Sequence, residues 1–331
     1  AKKTNMILKH LIEASFPSAY HKRTSLSIIL LIWSCIGNVS MASNVANETS
    51  LATFDFAIAE TLTAIGHPPM FLSGLEDYET YTRQDGIIPL ATNLGYRHLP
   101  NLELLASLPP QHILISPPAH VSLIPKLREI ADVQEYRLYN FSDNHDEQNH
   151  WNVLEDLTRL LGNLVNDPAA SEHYIEQINS HFDDLKRQLN HIDTPLLIVR
   201  LMDERHARVH GNGSVEGMVL NRLGLQNAWQ EELGQWGFKT VSAASVFDIN
   251  AKLIFLDSPY GPEGGQRQLI SDGQWRHWPS IQQNNYAILP LDFWSWGGLP
   301  AARRFADSLV RQLIESDING HASRSSQITG E

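Results

Sequence analysis

Residues 169–190 set the plan of this chain. Tyr174, Ile175, Ile178, Phe182, Leu185 and Leu189 recur there at the spacing of one helix face, after an Asp167–Pro168 start. About 22 residues in one helix span roughly 33 Å at 1.5 Å per residue. Such a helix can join two lobes as one rigid strut, and the segments on either side of it alternate between strand and helix patterns.

Before the long helix, residues 51–56 predict a strand and 57–65 a helix capped by Gly66. Residues 101–108 predict a helix closed by Pro109 and Pro110. Residues 112–116 predict a short apolar strand, and 125–130 a helix with proline in its first turn. Leucines 154, 157, 160, 161 and 164 mark a helix over 151–165. After Pro195 the pattern starts again. Strands are predicted over 196–201, 252–256 and 287–291. Helices are predicted over 215–223 with Gly224 as cap, 275–281 and 299–314. Strands alternating with helices indicate βαβ units and parallel sheets. The expected fold class is α/β: two α/β lobes joined by one long rigid helix, with the ligand cleft between the lobes. The lobes fall at 43–165 and 193–316, the connecting helix at 166–192, and a flexible polar tail at 317–331.

Residues 1–42 read as an export signal rather than as part of the fold. Lys22 and Arg23 precede the apolar run 26–36, and Ser40 and Ala42 supply a small-x-small site with cleavage after Ala42. The run is too short to span a membrane, which takes about 20 apolar residues. The lone cysteine, Cys35, lies inside this segment, so the mature chain has no thiol for a disulfide or a thiolate metal site. Lipidation at Cys35 would want small residues before it, and Trp33 is bulky. The whole chain carries 25 basic and 37 acidic residues, a formal −12. Loss of residues 1–42 leaves 20 basic and 36 acidic, a formal −16. That balance argues against nucleic acid as a partner.

Four stretches carry a resemblance. They are Gly95-Tyr-Arg-His-Leu-Pro-Asn-Leu-Glu-Leu-Leu105; Leu201-Met-Asp-Glu-Arg-His206 followed by Gly211-Asn-Gly-Ser214; Gly224-Leu-Gln-Asn-Ala-Trp-Gln230 followed by Trp236-Gly237 and Val241-Ser242; and Trp294-Ser-Trp-Gly297. In this order and spacing, over roughly 50–315, the chain resembles the periplasmic ferric hydroxamate-binding proteins of ABC iron–siderophore importers. The resemblance implies two lobes bridged by a long helix, a shallow aromatic cleft and a small hinge motion. It also implies a monomer, no catalytic residues and no resident cofactor. The ligand would be an iron(III)–siderophore whose own oxygens fill the metal's coordination sphere, and the partner an ABC permease at the inner membrane.

By the same resemblance Arg97 matches the arginine that donates hydrogen bonds to hydroxamate oxygens around the iron. A guanidinium suits that role, with a planar fork of donors that never deprotonates. Trp229, Trp236, Trp294 and Trp296 match positions lining the cleft, where methylene arms need broad apolar faces. For Trp229 a place in the core remains open. Tyr81 and Phe56 align with further cleft aromatics. Where the family has a tyrosine after the second strand, this chain has Ser116-Pro-Pro-Ala-His-Val121, with Ala119 or His120 at that place; of the two, His120 is the candidate donor, or cation at low pH. That change suits a mixed hydroxamate–carboxylate ligand. The acids expected to dock on the permease are also replaced, by Pro125 and Ala244, with Glu129 and Asp248 as nearby substitutes.

Two other classes are weighed. A hydrolase would need a nucleophile elbow, and no Gly-x-Ser-x-Gly is present. Asp203, Glu204 and His206 read more simply as a turn after a strand. A free-metal binder would need clustered ligands. The fifteen histidines are scattered, and the His206/His210 spacing falls on a loop or hairpin, after a strand and before Gly211. Within the binding class, cobalamin or haem remains an alternative ligand.

Overall fold

A computed structural model describes residues 49–82, 90–138, 147–189, 192–234 and 236–328, with the backbone alone for 147–150 and 317–328. The export-signal residues, Cys35 and the cleavage position lie outside the described residues. No helix among the described residues is long and apolar enough to cross a membrane.

The first lobe is built on β1 (Leu51–Thr53), β2 (Phe71–Leu72) and β3 (Thr92–Asn93), a small antiparallel hairpin of β4 (Gly95–Tyr96) and β5 (Leu99–Pro100), then β6 (His112–Ile115) and β7 (Asp132–Glu135). The main sheet has the order β3-β2-β1-β6-β7 and is parallel throughout. Alternate side chains serve opposite faces. Leu51 and Leu114 pack with Ile58, Leu62, Leu157 and Leu161 on one side. Ala52, Ile113 and Ile115 pack with Phe54, Leu105 and Leu127 on the other. Covered on both faces, such strands read as continuous apolar runs.

Helix α1 (Phe56–Ala64) starts earlier than its sequence pattern suggests. The Asp55 carboxylate accepts from the Ala57 and Ile58 amides, so the helix begins at Phe56, which the pattern assigned to the end of the strand. Helix α2 (Leu75–Thr82) was not evident in the sequence; it buries only Tyr78 and Thr82, and Leu75 and Tyr81 pack beside them on the same short face. Helices α3 (Leu102–Ser107) and α4 (Ile124–Leu127) complete the lobe, the former capped by Asn101.

The chain then runs through α5 (Glu147–Leu164) and α6 (Pro168–Gln188). Asp167 caps α6 through the Ala170 amide at 3.1 Å, with proline in the first turn. Its buried stripe, Ile175, Ile178, Phe182 and Leu185, joins Trp151 of α5 to the second lobe's core.

The second lobe's strands are β8 (Leu196–Leu201), β9 (His206–His210), β10 (Phe238–Ser242), β11 (Lys252–Asp257) and β12 (Tyr286–Pro290), in the order β10-β9-β8-β11-β12. β8, β11 and β12 are parallel, whereas β9 and β10 extend the sheet as antiparallel strands. One face packs on α6, α7 (Val215–Leu223) and α10 (Leu299–Ile328); the other holds Phe255, Trp275 and Trp278. Between β11 and β12 lie α8 (Gly265–Ser271) and α9 (Pro279–Gln282). The helix expected over 275–281 is split there, because Pro279 ends the first turn and opens α9. α10 runs past Ile314, where its apolar pattern ends.

The lobes are tied by a buried charge. Glu60 of α1 is fully buried, pairs with Arg304 of α10 and accepts the Gly298 amide at 2.7 Å. Burial pushes its carboxyl up and Arg304 opposes that. Gly297 and Gly298 make the approach possible: a Cβ on Gly298 would meet the Thr61 hydroxyl at 2.5 Å.

Candidate functional site

In open α/β sheets ligands bind beyond the carboxyl ends of the parallel strands. Beyond the first sheet's carboxyl edge lie Phe54, Asp55, Gly74 and the β4–β5 turn that carries Arg97. Gly74, at φ 72°, is needed for that turn to close: its amide donates to the Gly95 carbonyl at 2.6 Å, and a Cβ would press on Arg97 Cβ at 3.1 Å. Beyond the second sheet's edge, the chain after β12 carries Trp294 and Trp296.

These pieces meet in one aromatic cluster shared by both lobes. Phe56, Leu72 and Tyr78 of the first lobe pack with Trp294, and Tyr81 and Trp296 lie against them. Trp294 is 5.0 Å from Phe56, 5.0 Å from Tyr81 and 4.9 Å from Trp296, centroid to centroid. The row continues from Trp296 to Phe238 at 6.2 Å and from Tyr81 to Tyr260 at 5.6 Å. Tilted and edge-on pairs of this kind contribute about 0.5–1.5 kcal/mol each beyond the area they bury. Tyr260 also donates to Asp77 of α2 at 2.6 Å, a polar link across the same cleft.

Arg97 stands over this floor. Its guanidinium carbon lies 5.0 Å from the Trp294 ring and 5.3 Å from Phe56. Its Nε–H donates to the Phe54 carbonyl at 3.1 Å, and one terminal nitrogen is 4.0 Å from the Asp55 carboxylate. Burial pushes Asp55 up, and Arg97's charge opposes it. The side chain is therefore aimed and partly neutralised before any ligand arrives.

Four expected residues, Arg97, Phe56, Trp294 and Trp296, lie together here, with Tyr81 beside them. Trp236 is 40% exposed, and its carbonyl accepts the Trp296 indole N–H at 2.9 Å. It steers Trp296 through its backbone. Trp229 does not join the cluster. It is 3% exposed and packs in the second lobe's far core with Val209 and Ala243. Asn227 turns it inward, accepting the Trp229 amide at 2.9 Å and donating to the His210 carbonyl at 3.1 Å.

His120 is corrected in role. It is the donor at the expected place, but its Nε2–H is committed to the Arg97 carbonyl at 2.8 Å, so it positions the arginine's turn. Burial and then Arg97's charge push its pKa down to about 4, which removes the expected cation at moderately low pH. The His98 ring stacks on it at 6.0 Å and Phe54 meets it edge-on at 5.4 Å.

The sequence reading missed Phe238, Tyr260 and two arginines, Arg200 and Arg208. These are directly opposed in the β8–β9 register and share one sheet face. Arg208's guanidinium carbon lies 4.3 Å from the Phe238 ring, at the far end of the aromatic row from Arg97. Burial pushes both guanidinium groups down, and Arg200's charge adds to the effect on Arg208. The available signal was Arg200 inside the apolar run Leu-Leu-Ile-Val-Arg-Leu. Among the described residues no group of three or more His, Cys, Asp or Glu is placed to hold a metal ion. Asp203, Glu204 and His206 form a turn, with Asp203 accepting the Arg205 and His206 amides at 2.7 Å.

Residues 51–292 match the family model described as periplasmic binding protein. The iron(3+)-hydroxamate-binding protein FhuD of Escherichia coli (strain K12) is 24% identical over 303 residues, 90% of this chain and 96% of that protein. The Fe(3+)-citrate-binding protein YfmC of Bacillus subtilis (strain 168) is 22% identical over 227 residues, 67% of each. Among solved structures, the Fe3+–Desferal-bound siderophore-binding protein FhuD of Vibrio cholerae superposes with a TM-score of 0.71 at 22% identity, covering 80% of this chain and 97% of that one.

Proposed function

The chain belongs to the periplasmic binding protein family, and from that premise we propose that it captures an iron(III)–siderophore in the aromatic cleft and hands it to an ABC permease. The observation that carries this reading is Arg97, held over Phe56 and Trp294 where the two lobes meet. A wrapped iron chelate presents oxygens around the metal and apolar arms around its flanks. The guanidinium fork answers the oxygens, and the rings cover the arms. Binding here needs recognition of the chelate rather than ligation of the metal. The relatives named for hydroxamate and citrate chelates support a hydroxamate or mixed hydroxamate–carboxylate ligand.

In this reading the chain acts as a binding protein, without catalysis, in the periplasm after removal of residues 1–42. Exposed Glu129, just after α4, and Asp248, between β10 and β11, offer one acid on each lobe for the permease. Reversing both charges is expected to cut transport while leaving ligand binding intact; unchanged transport rules that docking out.

The test is tryptophan-fluorescence titration of the purified protein with ferrichrome, ferric aerobactin, a ferric catecholate, cobalamin and haem, with iron-free siderophores as controls. Saturable quenching by a ferric hydroxamate, absent with its iron-free form, is the expected result. Binding of cobalamin or haem alone would overturn the ligand, and binding of none would overturn the function.

A further inference from the structure

The aromatic row has a cation at each end, and the two ends differ in how those charges are held. Arg97 has Asp55 beside it. Arg200 and Arg208 make no ion pair among the described residues, although the chain carries 37 acidic residues against 25 basic. Their neighbour shows that this face can supply counter-charges. His210, two residues along β9 from Arg208, has its own acid, with Glu216 at 3.1 Å and fully buried. Two like charges set directly opposite each other, half-buried and with no carboxylate partner among the described residues, are both short of acceptors there. Like charges so paired oppose folding, so their arrangement makes sense if something else supplies the anion.

We propose that Arg200 and Arg208 form an anion subsite at the Phe238 end of the cleft, which receives an uncoordinated carboxylate of the iron(III) chelate. The pair rests on the siderophore reading above and names the ligand's class within it: a chelate that carries free carboxylate in addition to the groups that wrap the metal. Two adjacent guanidinium forks match a carboxylate's two oxygens better than ammonium groups would. Phe238 holds Arg208 through its ring face. The chelate's iron-wrapping oxygens would then face Arg97 and its free carboxylate would face the pair, with the aromatic row between them.

The test compares two probes: ferrichrome, an uncharged ferric trihydroxamate, and ferric aerobactin, a mixed chelate with pendant carboxylates. Their affinities are measured on the wild-type protein, the Arg200→Gln/Arg208→Gln double variant and Arg208→Lys. The double variant is expected to lose at least about tenfold in affinity for ferric aerobactin, the scale of one charge-assisted hydrogen bond, with ferrichrome affinity unchanged. Arg208→Lys keeps the charge without the fork and should fall between. On the wild type, raising sodium chloride from about 0.01 M to about 1 M shrinks the screening length from about 30 Å to about 3 Å. That change should weaken ferric aerobactin binding and spare ferrichrome, a readout that holds even if the double variant does not fold. Equal losses for both probes, or none for either, overturn the subsite. Wild-type protein that binds ferrichrome but not ferric aerobactin overturns the subsite and leaves the siderophore reading standing. Binding of neither probe overturns both.

Discussion

Three arginine sites line or brace this cleft, and they are built on different terms. Arg304 meets a fully buried carboxylate. Arg97 has a carboxylate at 4.0 Å, a carbonyl acceptor and two aromatic faces. Arg200 and Arg208 face each other with aromatic neighbours and no acid among the described residues. Among these three sites, charge is neutralised in proportion to its structural duty. Arg304 ties α1 to α10 and must be matched; Arg97 must be aimed and is matched in part. The β8–β9 pair has no acid among the described residues and is the one proposed above to meet a ligand carboxylate.

The largest effect is expected at the fully matched site. Glu60→Ala leaves Arg304 half-buried without its partner, and removal of one member of a buried pair costs about 3–5 kcal/mol. Urea unfolding should show a loss of that size, and a loss below about 1 kcal/mol would mean water reaches the pair.

The partly matched end is sharpened by pH. His120, which holds the Arg97 turn and faces Arg97, His98 and Phe54, has its pKa pushed down to about 4 from an ordinary 6.5. Between those values the unfolded chain binds a proton that the folded chain refuses. Stability is therefore complete above about pH 6.5 and falls as pH drops toward 4, by up to about 3 kcal/mol. Unfolding of wild type and His120→Gln across that window checks this. The variant should lose that much less, and parallel curves would contradict it. Next, Asp55→Ala removes the α1 cap and Arg97's counter-charge together. The cap alone is worth about 0.5–2 kcal/mol, to be read by thermal unfolding.

The smallest effect has the opposite sign. Arg208→Gln relieves a like-charge pair and should leave stability unchanged or raise it by about 0.2–1 kcal/mol. A clear loss would show that the pair has a structural partner after all.

Much of this was legible from sequence because it is local. The Tyr174-to-Leu189 stripe, the Gly224 cap and the Leu-Leu-Ile-Val-Arg-Leu strand state their elements directly, and α7 ends with Gly224 at φ 76° as its pattern implies. Phe56 was displaced from strand to helix because an Asp cap decides that boundary, and a cap depends on a rotamer. Trp229 lies in the core because Asn227 turns it inward, a hydrogen bond invisible in the chain. Arg200 and Arg208 face each other only through an antiparallel register, and neither residue alone marks the pairing. Tyr81 was named from resemblance, because the one face of its helix is only Leu75, Tyr78 and Tyr81, too short to mark a helix by periodicity.

The most direct measurement is titration of wild type and Arg97→Ala with ferrichrome, each variant first shown to be folded by its thermal midpoint. Saturable quenching of wild-type tryptophan fluorescence is expected, with an affinity at least about tenfold weaker in Arg97→Ala, the loss of one charge-assisted hydrogen bond. Equal affinities in the two proteins would contradict it, because the chelate would then be held somewhere other than over Phe56 and Trp294.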